Sequence, residues 1–274
     1  MKKKFAVLVV LIVAVMSSFM MGCNWGNKDT YVRGVWWWDK SLDIKYLEFA
    51  SNNNINEIYY CDTSFNEKTE SFIAKANEHK MKVYLLAGEK EWLLDDGDLR
   101  LMIVDYIAFQ KVSKYKYAGI HLDIEPHQLD SWQTNREELI IALIDIVYQL
   151  SCDYPEISFT YDIPMWLDDI VTYREVTQEA YKHIIDYADK VVVMSYRDTA
   201  EDIYEEFKDE YLYGYNNSTP VMFAVETADG EDIITFKQEG KKALNSAMDT
   251  LLVQVSKTLS GVAIHHIKSW YELS

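Results

Sequence analysis

A chain of 274 residues that carries 44 Asp and Glu against 27 Lys and Arg, a net charge of −17, is a poor partner for polyanions. A nucleic-acid or anionic-lipid surface needs clustered Lys and Arg. Beyond Lys2-Lys3-Lys4 the basic residues are scattered, with pairs such as Lys241-Lys242 the densest, so no nucleic-acid partner is expected. A hydrophobic share of 49% is ample for a large core.

The chain opens on Met1-Lys2-Lys3-Lys4, continues through an apolar stretch from Phe5 to Met16, and crosses a short Ser-containing bridge to Met20-Met21-Gly22-Cys23. A basic start and an apolar core of twelve residues have the form of an export signal, short of the ~20 residues a membrane-spanning helix needs. Its end resembles the lipobox of bacterial lipoproteins, in which a small residue precedes the Cys that is lipidated and becomes the new N-terminus. Gly22 and Cys23 fit that pattern; Met20 and Met21 stand where Leu and a small residue are commoner, and ordinary signal-peptidase cleavage is the alternative. The expected organisation is a signal peptide over 1–22, a tether over 23–30 and one domain over 31–274. Lipid on Cys23 would hold that domain on the cell membrane, outside the cytoplasm.

From residue 32 onward, short β-rich runs alternate with segments of helical periodicity, the pattern of parallel βα units. The expected strands are 32–38, 55–61, 82–87, 117–125, 157–163, 190–196, 220–226 and 261–267. Helices are expected at 41–51, 67–79, 177–188, 199–212 and 235–257. Two more carry start signals: Asp98 as cap of a helix through Met102, Ile103, Tyr106 and Ile107, and Thr134-Asn135-Arg136-Glu137 as a capping box before the run from Leu139 to Leu150. Eight strands in a domain of this length predict a single-domain (β/α)8 barrel, a TIM barrel, with an abbreviated helix after its last strand. A doubly wound open sheet is the alternative, but no Gly-rich phosphate turn follows the first strand.

In such a barrel the functional groups sit at the C-terminal ends of the strands. Those ends offer Asp39, Asp62, Glu89, Asp123 with Glu125, Asp162, Tyr196 with Asp198, Glu226, and His265 with His266. The densest constellation is Gly119-Ile120-His121-Leu122-Asp123-Ile124-Glu125-Pro126-His127. Strand parity puts His121, Asp123 and Glu125 on one face and Ile120, Leu122 and Ile124 on the other. The apolar face must meet the helices, so the ionisable face points into the barrel, progressively nearer its mouth. Carboxylates crowded there push their pKa values apart, supplying one protonated acid and one carboxylate. The alternative is a hydrogen-bond network that merely fills the lumen. On the fifth strand Ser158, Thr160 and Asp162 share a face, which turns Asp162 toward the same site.

These residues resemble the motif of glycoside hydrolase family 18, the chitinase-like barrels, whose fourth strand carries Asp-x-x-Asp-x-Asp-x-Glu. Ala118, His121, Asp123 and Glu125 occupy the four positions, and the last two match. Val193-Met194-Ser195-Tyr196 on the sixth strand resembles the family's Met-x-Tyr. The family's acidic residue after that Tyr is displaced here, Arg197 preceding Asp198, and His265 stands near the position of its strand-eight Trp. The resemblance implies that Glu125 is the general acid, that Asp123 orients the substrate's acetamido group as it attacks the sugar carbon, and that the Tyr196 phenol holds the acetamido oxygen.

A second glycosidase reading needs no acetamido group. Glu125 ends strand four and Glu226 ends strand seven, the positions of acid/base and nucleophile in the large clan of retaining barrel glycosidases, where carboxylates ~5–5.5 Å apart suffice. That clan usually has Asn before the first Glu, where Ile124 stands here. Glu226 has two other readings, as a binder of a sugar hydroxyl or as an ion-pair partner of Arg197.

Aromatic side chains at strand ends fit a carbohydrate, since flat rings stack on pyranose faces: Trp36, Trp37 and Trp38 end strand one, and Trp92, Trp132 and Trp166 follow strands three, four and five. At least one of the first three is expected in the core. The expected substrate contacts are Asp162, Glu226, Trp38, Trp166, His121, Arg197 and His265. A metal held by His121, Asp123, Glu125 and His265 lacks ligand spacing, and no Gly-x-Ser-x-Gly elbow marks a serine hydrolase, so neither metal nor cofactor is expected. Cys61 and Cys152 fall at opposite ends of the expected barrel, so no disulfide is expected between them. Two classes stay open: a membrane-tethered glycoside hydrolase acting on a poly- or oligosaccharide that contains N-acetylhexosamine or does not, and a surface lipoprotein that binds glycans without cleaving them.

Overall fold

The computed structural model describes residues 31–274 apart from Leu42; the expected signal peptide and tether, Cys23 included, lie outside the described residues. Residues Tyr31–Ser274 form one compact unit. In chain order its elements are β1 (Val32–Trp37), α1 (Lys45–Asn52), β2 (Glu57–Tyr60), α2 (Glu67–Glu78), β3 (Lys82–Ala87), α3 (Gly97–Val112), β4 (Ile120–Leu122), α4 (Arg136–Asp153) and β5 (Phe159–Pro164). After these come β6 (Ile170–Tyr173), β7 (Val176–Glu179), α5 (Ala180–Tyr187), β8 (Lys190–Met194), α6 (Ala200–Asn217), β9 (Val221–Glu226), α7 (Gly240–Leu252), β10 (Gly261–His265) and α8 (Ile267–Glu272). Strands β1, β2, β3, β4, β5, β8, β9 and β10 close into a barrel in which every neighbouring pair is parallel. The fold is thus a single-domain (β/α)8 barrel, and its last helix is the short one the sequence leads one to expect. That helix still anchors the closure: Trp270 is buried and packs edge-on against Phe49 of α1, with ring centroids 4.7 Å apart.

Side-chain parity sorts the strands into two surfaces. Val35 and Trp37 of β1, Ile120 and Leu122 of β4, and Val191 and Val193 of β8 belong to the apolar layer between strands and helices. The alternate residues fill the lumen. Tyr59 lies over the position where Gly34 lacks a side chain, so any Cβ there would collide with the ring. Trp36 and His121 pack against Tyr59 from above, and at the floor a fully buried ion pair joins Lys190 of β8 to Glu57 of β2. Of the three consecutive tryptophans, Trp36 is in the lumen, Trp37 is under the helices, and Trp38 is at the mouth, 37% exposed.

Local details differ from the expected pattern where short-range signals compete. Residues 177–179 do not open a helix; they belong to β7, which pairs antiparallel with β6 in a hairpin outside the barrel. Arg174 and Glu175 close that hairpin with positive φ of 48° and 68°, the two-residue turn geometry that Asn-Gly usually advertises, so no turn residue announced it. Thr134 forms no capping box: it ends the single turn Asp130–Gln133, its hydroxyl donates to the Ser131 carbonyl at 3.0 Å, and Asn135 takes the cap position without a side-chain bond. Asp98 lies inside the first turn of α3 rather than at its cap, which falls on Asp96. Cys61 and Cys152 are both free thiols.

Candidate active site

Three devices place the fourth-strand carboxylates. Asp123 continues the strand by one bond, its N–H donating to the Ala87 carbonyl at 3.0 Å. Gly88 lies against the Asp123 backbone so closely that a Cβ would overlap its carbonyl, which is why the residue following β3 has no side chain. Pro126 then starts a single turn, Pro126–Gln128, with Glu125 at its cap position, so the chain leaves the sheet with Glu125 at the mouth. The regular strand therefore ends at Leu122, short of the expected 125. Ile124 still packs in the apolar layer, so the alternation survives past the last ladder bond.

Above the lumen opens a pocket of about 330 Å³. Among its walls are Asp123, Glu125, Tyr196, His265 and Trp38, all expected from strand-end positions, together with Gly88, Lys90, Gln128 and Met194. Gln128 Nε2 donates to Glu125 Oε2, and Lys90 Nζ donates to the Gln128 carbonyl at 3.0 Å. Neither Lys90 nor Gln128 was expected. Their signal is faint: Gln128 sits three residues after Glu125, a spacing that matters only once Pro126 has started a tight turn.

The ionisable groups separate into two sets. Burial, then the charges of Asp162 and Glu125, push the Asp123 carboxyl well above the ordinary carboxylate range, and its Oδ1 has no hydrogen-bond partner. Burial alone tends to raise Glu226, but the hydrogen bond and charge of His265, with the Ala228 and Thr227 N–H groups, hold it below its usual value. Both Glu226 oxygens are committed: Oε1 accepts from Thr227 N and Ala228 N at 2.6 Å each, and Oε2 lies 2.6 Å from His265 Nδ1. Burial tends to lower His265, but the Glu226 hydrogen bond and charge, with the charges of Asp123 and Asp162, raise it on balance. The Trp38 indole donates to His265 Nε2 at 3.1 Å. Burial and the surrounding carboxylates raise the Tyr196 phenol well above its ordinary value, so it stays a hydrogen-bond donor.

The remaining expected contacts stand outside the pocket walls. Asp162, 3% exposed, lies below Asp123, where its Oδ2 accepts from Trp36 Nε1 at 3.1 Å and approaches His121 Nε2 at 2.7 Å. His121 is fully buried, its ring against Tyr59 with centroids 3.8 Å apart. Glu226 is turned into its His265 contact and has no ion pair with Arg197; the Arg197 guanidinium instead binds Glu206 at 2.5 Å and the Tyr196 carbonyl at 2.9 Å. Trp166 belongs to an outer cluster, 5.4 Å from Trp132 and 5.3 Å from His127, with Arg136 over its ring. Asp62 is drawn to Ser64 and Thr69, where it ties the β2 end to the start of α2. Among the described residues no group of three His, Cys, Asp or Glu side chains is arranged to hold a metal ion.

No family model and no curated protein matches the chain. Solved structures do. A chitinase from Bacteroides thetaiotaomicron superposes with a TM-score of 0.56 over 88% of this chain and 91% of its own, at 14% identity. Domain 2 of a thermostable chitinase from Pyrococcus furiosus, in complex with chito-oligosaccharides, gives 0.52 over 87% and 85%, at 14% identity. A family 18 chitinase from Cycas revoluta bound to (GlcNAc)3 gives 0.50 over 87% and 95%, at 12% identity. At such identities the likeness speaks for the fold, and the chain has the barrel of the chitinase-like glycoside hydrolases, which it resembles distantly.

Proposed function

We propose that the chain is a glycoside hydrolase that cleaves a poly- or oligosaccharide containing N-acetylhexosamine, with the substrate's own acetamido group as nucleophile. The observation that carries this reading is the convergence of Asp123, Glu125 and Tyr196 on one pocket while Glu226 faces His265. Covalent retention needs a second carboxylate free to attack. Glu226 is a poor candidate, because three short donors hold its oxygens. Acetamido assistance needs a proton donor for the leaving oxygen, a carboxylate for the acetamido N–H and a donor for the acetamido carbonyl. Glu125, Asp123 and Tyr196 are of those three types. In the first step the acetamido oxygen attacks the anomeric carbon as the leaving oxygen departs with the Glu125 proton. In the second, Glu125 takes a proton from water, which opens the cyclic intermediate with net retention. Two of the similar solved structures are complexes with chito-oligosaccharides, which supports the substrate class.

Purified mature protein incubated with chito-oligosaccharides, peptidoglycan and plant-type glycans is expected to release β-configured reducing ends from an N-acetylhexosamine polymer. Glu125→Gln should reduce turnover by about 10²–10⁴-fold, the span of a positioned general acid. Binding across the panel without turnover by the wild type would replace this reading with a glycan-binding receptor, and full activity of Glu125→Gln would refute the mechanism.

The Gly22-Cys23 pattern supports export and lipid anchoring of the enzyme outside the cytoplasm. Cys23→Ser is expected to move the protein from the membrane fraction to the soluble one, and unchanged fractionation would exclude the anchor.

A further inference from the structure

Glu226 ends β9 beside His265 of β10, its register partner, and the proposed reaction leaves it without a part. Its contacts nevertheless form a chain that reaches the pocket wall. Oε1 accepts from the Thr227 and Ala228 N–H groups, Oε2 lies 2.6 Å from His265 Nδ1, and on the far side of the ring the Trp38 indole donates to His265 Nε2 at 3.1 Å.

Donor chemistry fixes the protons along this chain. An indole N–H only donates, so Nε2 brings its lone pair to that bond and carries no hydrogen. The ring proton is then on Nδ1, where the Glu226 carboxylate accepts it. The partner of one ring nitrogen thus sets the state of the other. Trp38 depends on the outcome: the regular strand β1 ends at Trp37, and the Trp38 side chain, 37% exposed, makes no other hydrogen bond among the described residues.

We propose that Glu226 is a positioning residue that acts through the Nδ1-protonated ring of His265 to hold Trp38 as a wall of the pocket, where its face meets a sugar ring. The consequence for substrate rests on the glycosidase reading, though the tautomer can be observed with no substrate present. Glu226→Gln should reverse it. The new amide must turn its oxygen to the two backbone N–H groups, so its NH2 faces Nδ1, the ring proton moves to Nε2, and two donors oppose each other at Trp38. Acid should release Trp38 in the wild type as well, since an imidazolium has no lone pair at Nε2. Burial opposes that cation, but the hydrogen bond and charge of Glu226 and the charges of Asp123 and Asp162 raise its titration. The His266 ring, with its centroid 5.2 Å away, and the protonated Tyr196 phenol complete the ionisable surroundings.

Nitrogen NMR of His265 and of the Trp38 indole, at a pH above the His265 titration, tests the chain directly. The wild type should show the Nδ1–H tautomer with a hydrogen-bonded indole, and Glu226→Gln the Nε2–H tautomer with the indole released. An Nε2–H tautomer in the wild type, or an unchanged tautomer in Glu226→Gln, overturns the proposal whether or not any glycan is cleaved. On an N-acetylhexosamine substrate, Glu226→Gln is expected to raise KM about two- to tenfold, the span of one hydrogen bond, with kcat within about twofold. In a Trp38→Phe background the same substitution should leave KM where Trp38→Phe alone puts it. Wild-type KM should likewise rise as pH falls through the His265 titration, and that limb should be absent from Trp38→Phe. A merely structural role for Glu226 predicts the same added loss in both backgrounds, and additive effects on KM would overturn the proposal. Absence of turnover by the wild type counts against the glycosidase reading alone and leaves the NMR result to decide the positioning.

Discussion

A pair of buried acids and an acid–histidine pair occupy different sectors of the same barrel, and the contrast between them separates two kinds of carboxylate. On the β9–β10 side, Glu226 has its three short donors, and His265 beside it is raised. On the β4–β5 side, Asp123 and Asp162 each leave an oxygen without a partner, and both are raised by burial. A carboxylate whose lone pairs are taken is held in one charge state and cannot easily change it. One left short of donors sits close to a change of protonation, which is what a reacting group needs. The lesson is that donor count around an acid, more than its position at a strand end, separates a structural carboxylate from a reactive one.

The largest effect should come from the undersatisfied side. Asp123→Asn is expected to cut kcat on an N-acetylhexosamine substrate by about 10²-fold or more while thermal stability holds or rises, because an amide needs no charge in that site. Steady-state kinetics beside a melting curve would check this, and a strongly destabilised variant would erase the contrast. The opposite signature is expected of Glu226→Gln. Removing the charge leaves His265 and two backbone N–H groups with a poorer acceptor, a loss of about 2 kcal/mol measurable by denaturant titration.

The pH dependence of stability should split the two sides further. Glu226 is lowered in the folded state, so its contribution is present above the unfolded value and is lost as pH falls through the folded one. His265 is raised, so its contribution is complete below the unfolded value and is lost as pH rises through the folded one. The pair should therefore stabilise the barrel most between about pH 4.3 and 6.5. Asp123 and Asp162, both raised, add a loss of stability as pH rises above the unfolded value. Urea unfolding over a pH series should show wild-type stability declining on the alkaline side, and Asp162→Asn should flatten that decline. The smallest effect is expected of Trp38→Phe: the loss of one half-exposed bond to His265 should cost less than about 1 kcal/mol and act mainly as a few-fold rise in KM.

Much of this molecule is legible from its sequence because barrel strands are short and alternate. The parity of Ile120, Leu122 and Ile124 against His121, Asp123 and Glu125 is a local property, and burial on both sides of the sheet enforces it. The hairpin at 170–179 was hidden because Arg174 and Glu175 adopt a turn for which neither residue is a marker. Capping at Thr134 failed as a signal because a competing turn reached that residue first.

What the sequence by itself determined, then, is the eight-strand barrel and the inward direction of its acids, since both follow from period-two alternation and the need to bury one face. Which acid is left short of donors was decided by tertiary structure alone. His265 and Glu226 lie 39 residues apart, and His121 meets Asp162 across a strand boundary. The donors that hold Glu226 and the neighbours that lift Asp123 are assembled only when the barrel closes, and no spacing along the chain records their distances.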